Sequence, residues 1–401
     1  MRLKLKYLLT AAASTFVIML TFIFLTLSQK DYSSRVIKVG FVYIGDSSTA
    51  YTNNFCRAQN ELLDAYPDNI RTFAKYNIPE ENCEPAIRDL IDSGCDIIFG
   101  TSFGYGETMK LMAAENPKIQ FCQATCDNAN QEPVFPNYHN FMGKIYEGRY
   151  LSGIVAGMKL KELIKEGKIT PQQCKIGYVA AFPYAEVISG YTAFLLGVRS
   201  IVPEAVMTVR YTDTWSNTVR ERKVAEALIA ENCLVISQHS DTIGPAYACE
   251  VASTKYGKIV YHVGYNQSMT DVAPTTSLVS TRINWAPYVL AAVEAVMKNK
   301  KIESTVKAEI FGNDAAAGFE NGWCEIVGLN KLIAAEGTKE KIETTVRQFK
   351  NKNFFVFKGN YTGVNPFDSS DTYDLNRPFI ENANQSAPSF YYILKDVITV
   401  E

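Results

Sequence analysis

The sequence predicts an α/β chain of two lobes, each a doubly wound parallel sheet flanked by helices, and three observations predict it. Residues 175–241 read as strand, helix, strand, helix, strand. The same pattern occurs earlier, over residues 38–104. In both copies each strand runs into a loop with polar and aromatic side chains, which is where open α/β sheets bind ligands.

Residues 176–181 form a short apolar run, as in a strand buried on both faces. Val187, Tyr191, Phe194 and Val198 then recur at helical spacing, with Ile188 and Leu195 beside them. Gly190 and Gly197 lie seven residues apart on that helix, so each can sit beneath a close neighbour. Pro203 discourages its continuation. Residues 206–211 and 234–237 are the next strands, around a helical 224–230. In the earlier copy Lys38-Val39-Gly40 answers Lys175-Ile176-Gly177, Pro67 answers Pro203, and Cys95-Asp96-Ile97 answers Cys233-Leu234-Val235, at offsets of 137, 136 and 138 residues. Near-constant offsets mark an internal repeat. Right-handed crossovers make each copy a three-layer unit, and two such lobes enclose a cleft suited to a small molecule.

Composition narrows the function. A length of 401 residues suits two domains. A net charge of −2 provides no basic surface for nucleic acid. Nine Cys and three His show neither CxxC pairs nor zinc spacing, so neither a metal nor another cofactor is expected. Most Cys fall in strands or helices as free thiols; Cys122 and Cys126 are the best candidates for a reactive pair. At the start, Arg2, Lys4 and Lys6 precede an uncharged run from 8 to 27. That pattern sends the rest of the chain across a membrane, and residues 1–30 are expected to act as a signal peptide or, better suited to the run's length, a signal anchor holding the protein to the membrane.

Along the chain, strands are expected at 36–44, 96–99, 119–121, 259–263 and from 278, and helices at 86–93, 247–253 and 289–297. Gly153 and Gly157 in YLSGIVAGMKL suit close helix packing. The crossings between lobes are placed in the Asn- and Pro-rich stretch after Asp127 and at 264–269. This gives a first lobe of 36–126 plus 268–312 and a second of 127–267 plus 313–401, with the aromatic tail from about 354 unread as to fold. Gly100-Thr101-Ser102-Phe103-Gly104 matches the G-x-S-x-G nucleophile elbow. Ser102 with His239 or His262 as base and Asp213 or Asp241 as orienting acid would make a serine hydrolase. The competing reading is a tight turn that lets the backbone or Phe103 approach a ligand, and it is preferred because no His lies near the C-terminus.

The segments TSFGY, YEGRYLSGIVAG, IGYVAAFPYAEVISGYTAFLLGVRS, DTW, QHSD, GYNQSM and NWAPY, in this order, resemble the basic-membrane-protein family. These are extracytoplasmic solute-binding proteins of ABC importers for purine nucleosides or bases. The resemblance implies a type I periplasmic-binding-protein fold with three crossovers, a purine ligand and a membrane permease as partner, with no catalysis. It is nearest to a branch with AFP-x-x-EVI-x-G and NW-x-PY, which points to a purine base such as adenine. The family's YTxxH pattern reads Tyr51-Thr52-Asn53-Asn54-Phe55 here, its Asp before Met269 is Ser268, and no Cys follows the leader for lipid attachment. That Asp holds the ligand in nucleoside-binding relatives, so its loss weighs against a ribose-bearing ligand.

A purine needs aromatic faces and a few aimed polar groups. Tyr51, Phe103, Phe182, Trp215 and Trp285 stand in separate strand-end loops and are the candidate faces. Glu186 or Asp241 can accept from an exocyclic amine, and Asn266 can donate and accept. Each has a plainer role open to it: Glu186 in a helix first turn, Asp241 as a helix cap, His239 as a satisfied loop residue. The functional readings are an importer's purine receptor whose lobes close by a hinge, a membrane-anchored sensor of the same fold, and the Ser102 hydrolase.

Overall fold

The computed structural model describes residues 35–401. The expected leader at 1–30 lies outside them, and among the described residues no helix is long and apolar enough to cross a membrane. The first lobe begins with β1 (Ile37–Val42), α1 (Ala50–Ala65), β2 (Ile70–Lys75), α2 (Glu84–Asp92), β3 (Ile97–Gly100), α3 (Gly106–Glu115), β4 (Gln120–Ala124) and β5 (Tyr138–Gly143). These strands pair in parallel. Phe55, Ala58 and Leu62 supply the buried stripe of α1. The chain then crosses to α4 (Ile145–Lys165), β6 (Lys175–Ala180), α5 (Ala185–Arg199), β7 (Val206–Tyr211), α6 (Thr218–Ala230), β8 (Val235–His239), α7 (Gly244–Tyr256), β9 (Tyr261–Tyr265) and β10 (Ser277–Ile283). It returns through α8 (Ala286–Met297), β11 (Glu309–Phe311) and β12 (Asp314–Ala317), and crosses again to β13 (Cys324–Val327) and α9 (Thr338–Lys350).

The first sheet runs β11-β12-β5-β4-β3-β1-β2. The second runs β13-β10-β9-β8-β6-β7-β17, where β17 (Ile398–Val400) pairs in parallel with β7. The expected α/β class and every expected strand are present. Three lobe boundaries need correcting. β5 and β12, both expected in the second lobe, belong to the first sheet, and β10 belongs to the second sheet, not the first lobe. The turn residues after Asp127 and Tyr265 link strands of one sheet, so turn chemistry alone does not mark a change of lobe. The crossings lie at Lys144, at Asn284–Trp285 and at 318–323. They are tied together: Lys144 donates its backbone N–H to Ala317 O, and Asn284 donates its own to Trp323 O.

The tail from 354 packs largely on the second lobe. It forms a three-stranded antiparallel sheet of β14 (Thr362–Asn365), β15 (Asp368–Asp374) and β16 (Ile393–Leu394), then β17. Phe357 and Phe390 stack at 3.9 Å in the second lobe's core. Between them the tail touches the first lobe, where the Ser386 N–H donates to Asp314 Oδ2 at 2.8 Å and Ala387 joins the apolar cluster. The tail therefore bridges both lobes.

The glycine expectation for α4 and α5 is met. A Cβ on Gly153 would lie 2.0 Å from Phe194 O, and one on Gly197 would lie 2.0 Å from Tyr150 O. The two helix backbones touch. All nine Cys are free, eight of them buried, and Cys122 and Cys126 are not bonded to each other. Burial raises both thiols well above their usual range, which keeps them protonated and unreactive.

Candidate functional site

The cleft cavity is built from the carboxyl ends of strands in both sheets. From the first lobe come Ile44 and Tyr51 after β1, Ser102 and Phe103 after β3, and Thr125 after β4. From the second come Glu186 after β6, Trp215 after β7, His239 and Asp241 at the end of β8, and Tyr265 ending β9. The space between these side chains, mouth included, is about 490 Å³, within the range of small-molecule sites. Six of the nine expected residues line it: Tyr51, Phe103, Glu186, Trp215, His239 and Asp241.

The other three stand behind the lining. Trp285 is 1% exposed and stacks on Phe55 at 4.4 Å, with its edge toward Tyr51. Phe55 occupies the place of the family's His, so that position packs the indole and leaves Trp285 no face for a ligand. Phe182 packs on Trp215 and Tyr184 and supports the indole from outside the cavity. Asn266 donates from Nδ2 to Asp241 Oδ1 at 2.8 Å and accepts from Asn54 of the first lobe. Ser268, at the family's Asp position, is exposed and bonds Thr270, away from the cavity.

The polar groups are set by burial. Asp241 is pushed up to about 7 by burial, against the Asn266 hydrogen bond, with Glu221 and Glu186 adding to the rise. His239 is pulled down to about 4 by burial and the Arg149 charge, so its ring is neutral at pH 7. Its Nε2 faces Glu186 Oε1 at 3.4 Å, and its Nδ1 has no partner among the described residues. Glu186 stands in the first turn of α5 and also lines the cavity. Asp241 makes no helix cap; Thr242 Oγ1 accepts from the first N–H of α7 instead.

The sequence reading missed three supporting residues. Tyr265 lines the cavity, with its ring 4.8 Å from His239. The fully buried Arg149 guanidinium lies 3.7 Å over that ring and donates to Gln238 O. Glu221 accepts from Ser240 Oγ and the Thr242 N–H, which fixes the loop that carries Asp241. Thr125, a β-branched residue at φ 65°, adds local backbone strain at the cavity wall.

Ser102 bonds neither of the histidines expected as its base. Its hydroxyl donates to Glu80 Oε1 at 2.5 Å. His262 is held by Gln238, and Asp213 is paired with Arg220 at the surface. The glycine-rich turn thus serves to bring Phe103 to the cavity.

Residues 42–356 match the family described as ABC transporter substrate-binding protein, PnrA-like (Bmp). The chain belongs to this family. It is a substrate-binding protein of an ABC transporter, a class of extracytoplasmic proteins that bind a small molecule and work with a membrane permease. The PnrA-like chain is 28% identical over 268 residues to a purine-binding protein of Brucella abortus (strain 2308), covering 66% of this chain and 70% of that one. It is also 28% identical over 328 residues to a putative ABC transporter glucose-binding protein of Haloferax volcanii, covering 81% and 75%. A solved ABC transporter solute-binding protein from Aeropyrum pernix K1 shares the type I periplasmic-binding-protein fold, with a TM-score of 0.61 at 17% identity, over 79% of this chain and 86% of that one.

Proposed function

We propose that this PnrA-like protein is the purine receptor of an importer, and that its ligand is a purine base of adenine type. The observation that carries the reading is the make-up of the cleft. Aromatic side chains from both lobes (Tyr51 and Phe103, Trp215 and Tyr265) surround a cavity whose polar lining includes two carboxylates, Glu186 and Asp241. A flat ring with N–H groups on its edge fits that set. A sugar offers hydroxyls over its whole periphery and would leave several without partners against these rings. The purine-binding Brucella relative supports the same choice.

In the proposed cycle the purine lands on one lobe, the lobes rotate about the three crossings, and rings from opposite lobes close over its faces. Closure gains free energy only from contacts that the open form lacks. Tyr51 and Phe103 against Trp215 are such contacts, and Phe103 already meets Tyr184 across the mouth at 6.0 Å. The permease then recognises the closed form.

Calorimetry with adenine, guanine, hypoxanthine, their nucleosides and glucose tests the reading. Adenine is expected to bind most tightly. Trp215→Ala is expected to weaken it by roughly 30- to 100-fold, the loss of one buried aromatic anchor. Tight glucose binding with no response to any purine would overturn the proposal.

A further inference from the structure

A second cavity adjoins the cleft and runs beneath the tail. Its space, mouth included, is about 680 Å³. Phe103, Thr125, Glu186 and Trp215 line both spaces. The outer compartment adds Met142 from β5, Pro183 and Tyr184 from the loop before α5, and Ala387, Pro388 and Tyr391 from the tail. Apolar and aromatic side chains make up most of its wall. Its carboxylates are Glu186, at the junction with the cleft, and the half-buried Asp127.

The tail's share of this wall is fixed from both lobes. On the first lobe, the Ser386 N–H donates to Asp314 Oδ2 at 2.8 Å and its hydroxyl donates to Cys126 O at 3.4 Å. Asn382 Nδ2 then donates to Ser386 O at 2.6 Å. On the second lobe, the Tyr391 hydroxyl donates to Pro183 O at 2.9 Å, and the Phe390 ring is buried against Phe357. A segment tied at both ends holds its side chains in place before a ligand arrives, as a selective wall requires. This segment lies outside residues 42–356, which match the family.

We infer that the tail is part of the ligand site and selects a purine base carrying an apolar group, alkyl or aryl, on its exocyclic amine. The inference rests on the purine reading above and narrows it. A base held between Phe103 and Trp215 presents one edge to the outer compartment, because both rings line that compartment too. Glu186 stands at the same junction and can accept from an exocyclic N–H there. A secondary amine keeps one N–H for Glu186 and directs its substituent toward Pro388 and Tyr391. Unsubstituted adenine leaves the outer compartment to water, whereas an apolar group is buried in it and gains affinity.

The test is calorimetry of the purified protein with adenine, N6-benzyladenine and 9-benzyladenine, the last carrying the same group on another edge. N6-benzyladenine is expected to bind roughly tenfold or more tightly than adenine, and 9-benzyladenine to show no such gain. Tyr391→Ala is expected to reduce the preference for N6-benzyladenine to below about threefold, while Tyr391→Phe, which keeps the ring, retains it. Circular dichroism checks that the variants fold; if Tyr391→Ala does not, the three ligands on the wild-type protein decide. Three results would each overturn the inference and leave the purine reading standing: adenine bound with N6-benzyladenine no tighter, an equal gain for 9-benzyladenine, or an unchanged preference in Tyr391→Ala. Binding of none of the three would overturn both.

Discussion

Gly197→Ala is expected to cost about 3 kcal/mol of folding stability. The added methyl would lie 2.0 Å from Tyr150 O and 3.1 Å from Gly153 Cα. A side chain in the way can change rotamer, but a backbone carbonyl cannot. The α4–α5 pair must part, and that separates Leu151, Ile154 and Val155 from Phe194 and Val198 in the second lobe's core. Alanine's better helix propensity returns at most about 1 kcal/mol. Urea unfolding read by far-ultraviolet circular dichroism measures the loss, with Lys161→Ala on the exposed face of α4 as a control near zero. A shift under about 1 kcal/mol would show that the helices are not held at this distance.

The same pair shows what was legible in the sequence. Gly190 and Gly197 seven apart, and Gly153 and Gly157 four apart, signalled close packing because no other residue leaves a helix face bare. The strands were legible for a similar reason, since apolar runs buried on both faces have no other common explanation. The cleft aromatics were legible as loop residues at strand ends. Which of them face a ligand was not, because burial is decided by neighbours far away in sequence. Trp285 looked as exposed as Trp215 until Phe55, 230 positions earlier, stacked on it. Arg149 was hidden in the same way, since nothing in YEGRY says that a helix will deliver a charge beneath β8 and β9. The crossings were misplaced because two turns of similar composition, one within a sheet and one between sheets, carry the same local signals.

Asp241→Asn is expected to stabilise the empty protein and weaken its hold on ligand. Burial holds the Asp241 carboxyl at about 7, above its usual 3.8. Between those values the folded protein keeps a proton that the unfolded chain has lost. The contribution to stability is complete below about pH 4 and declines as the pH rises through 7. Asp241 is partly open to the cleft, so the penalty above pH 7 is on the order of 2 kcal/mol. The amide removes it, and thermal melts of the variant at pH 8 should rise above wild type while those at pH 4 should not. Ligand binding runs the other way. An N–H donor needs the ionised carboxylate, so in wild type the affinity for adenine should climb as the pH rises toward 7 and then level. The variant should bind about 10- to 100-fold more weakly above pH 7, the loss of one hydrogen bond to a charged acceptor, and its affinity should lack that rise. Unchanged melts at pH 8 would show that the carboxylate of the empty cleft is already comfortably solvated. Unchanged affinity would remove Asp241 from the ligand's edge and leave Glu186 as the acceptor.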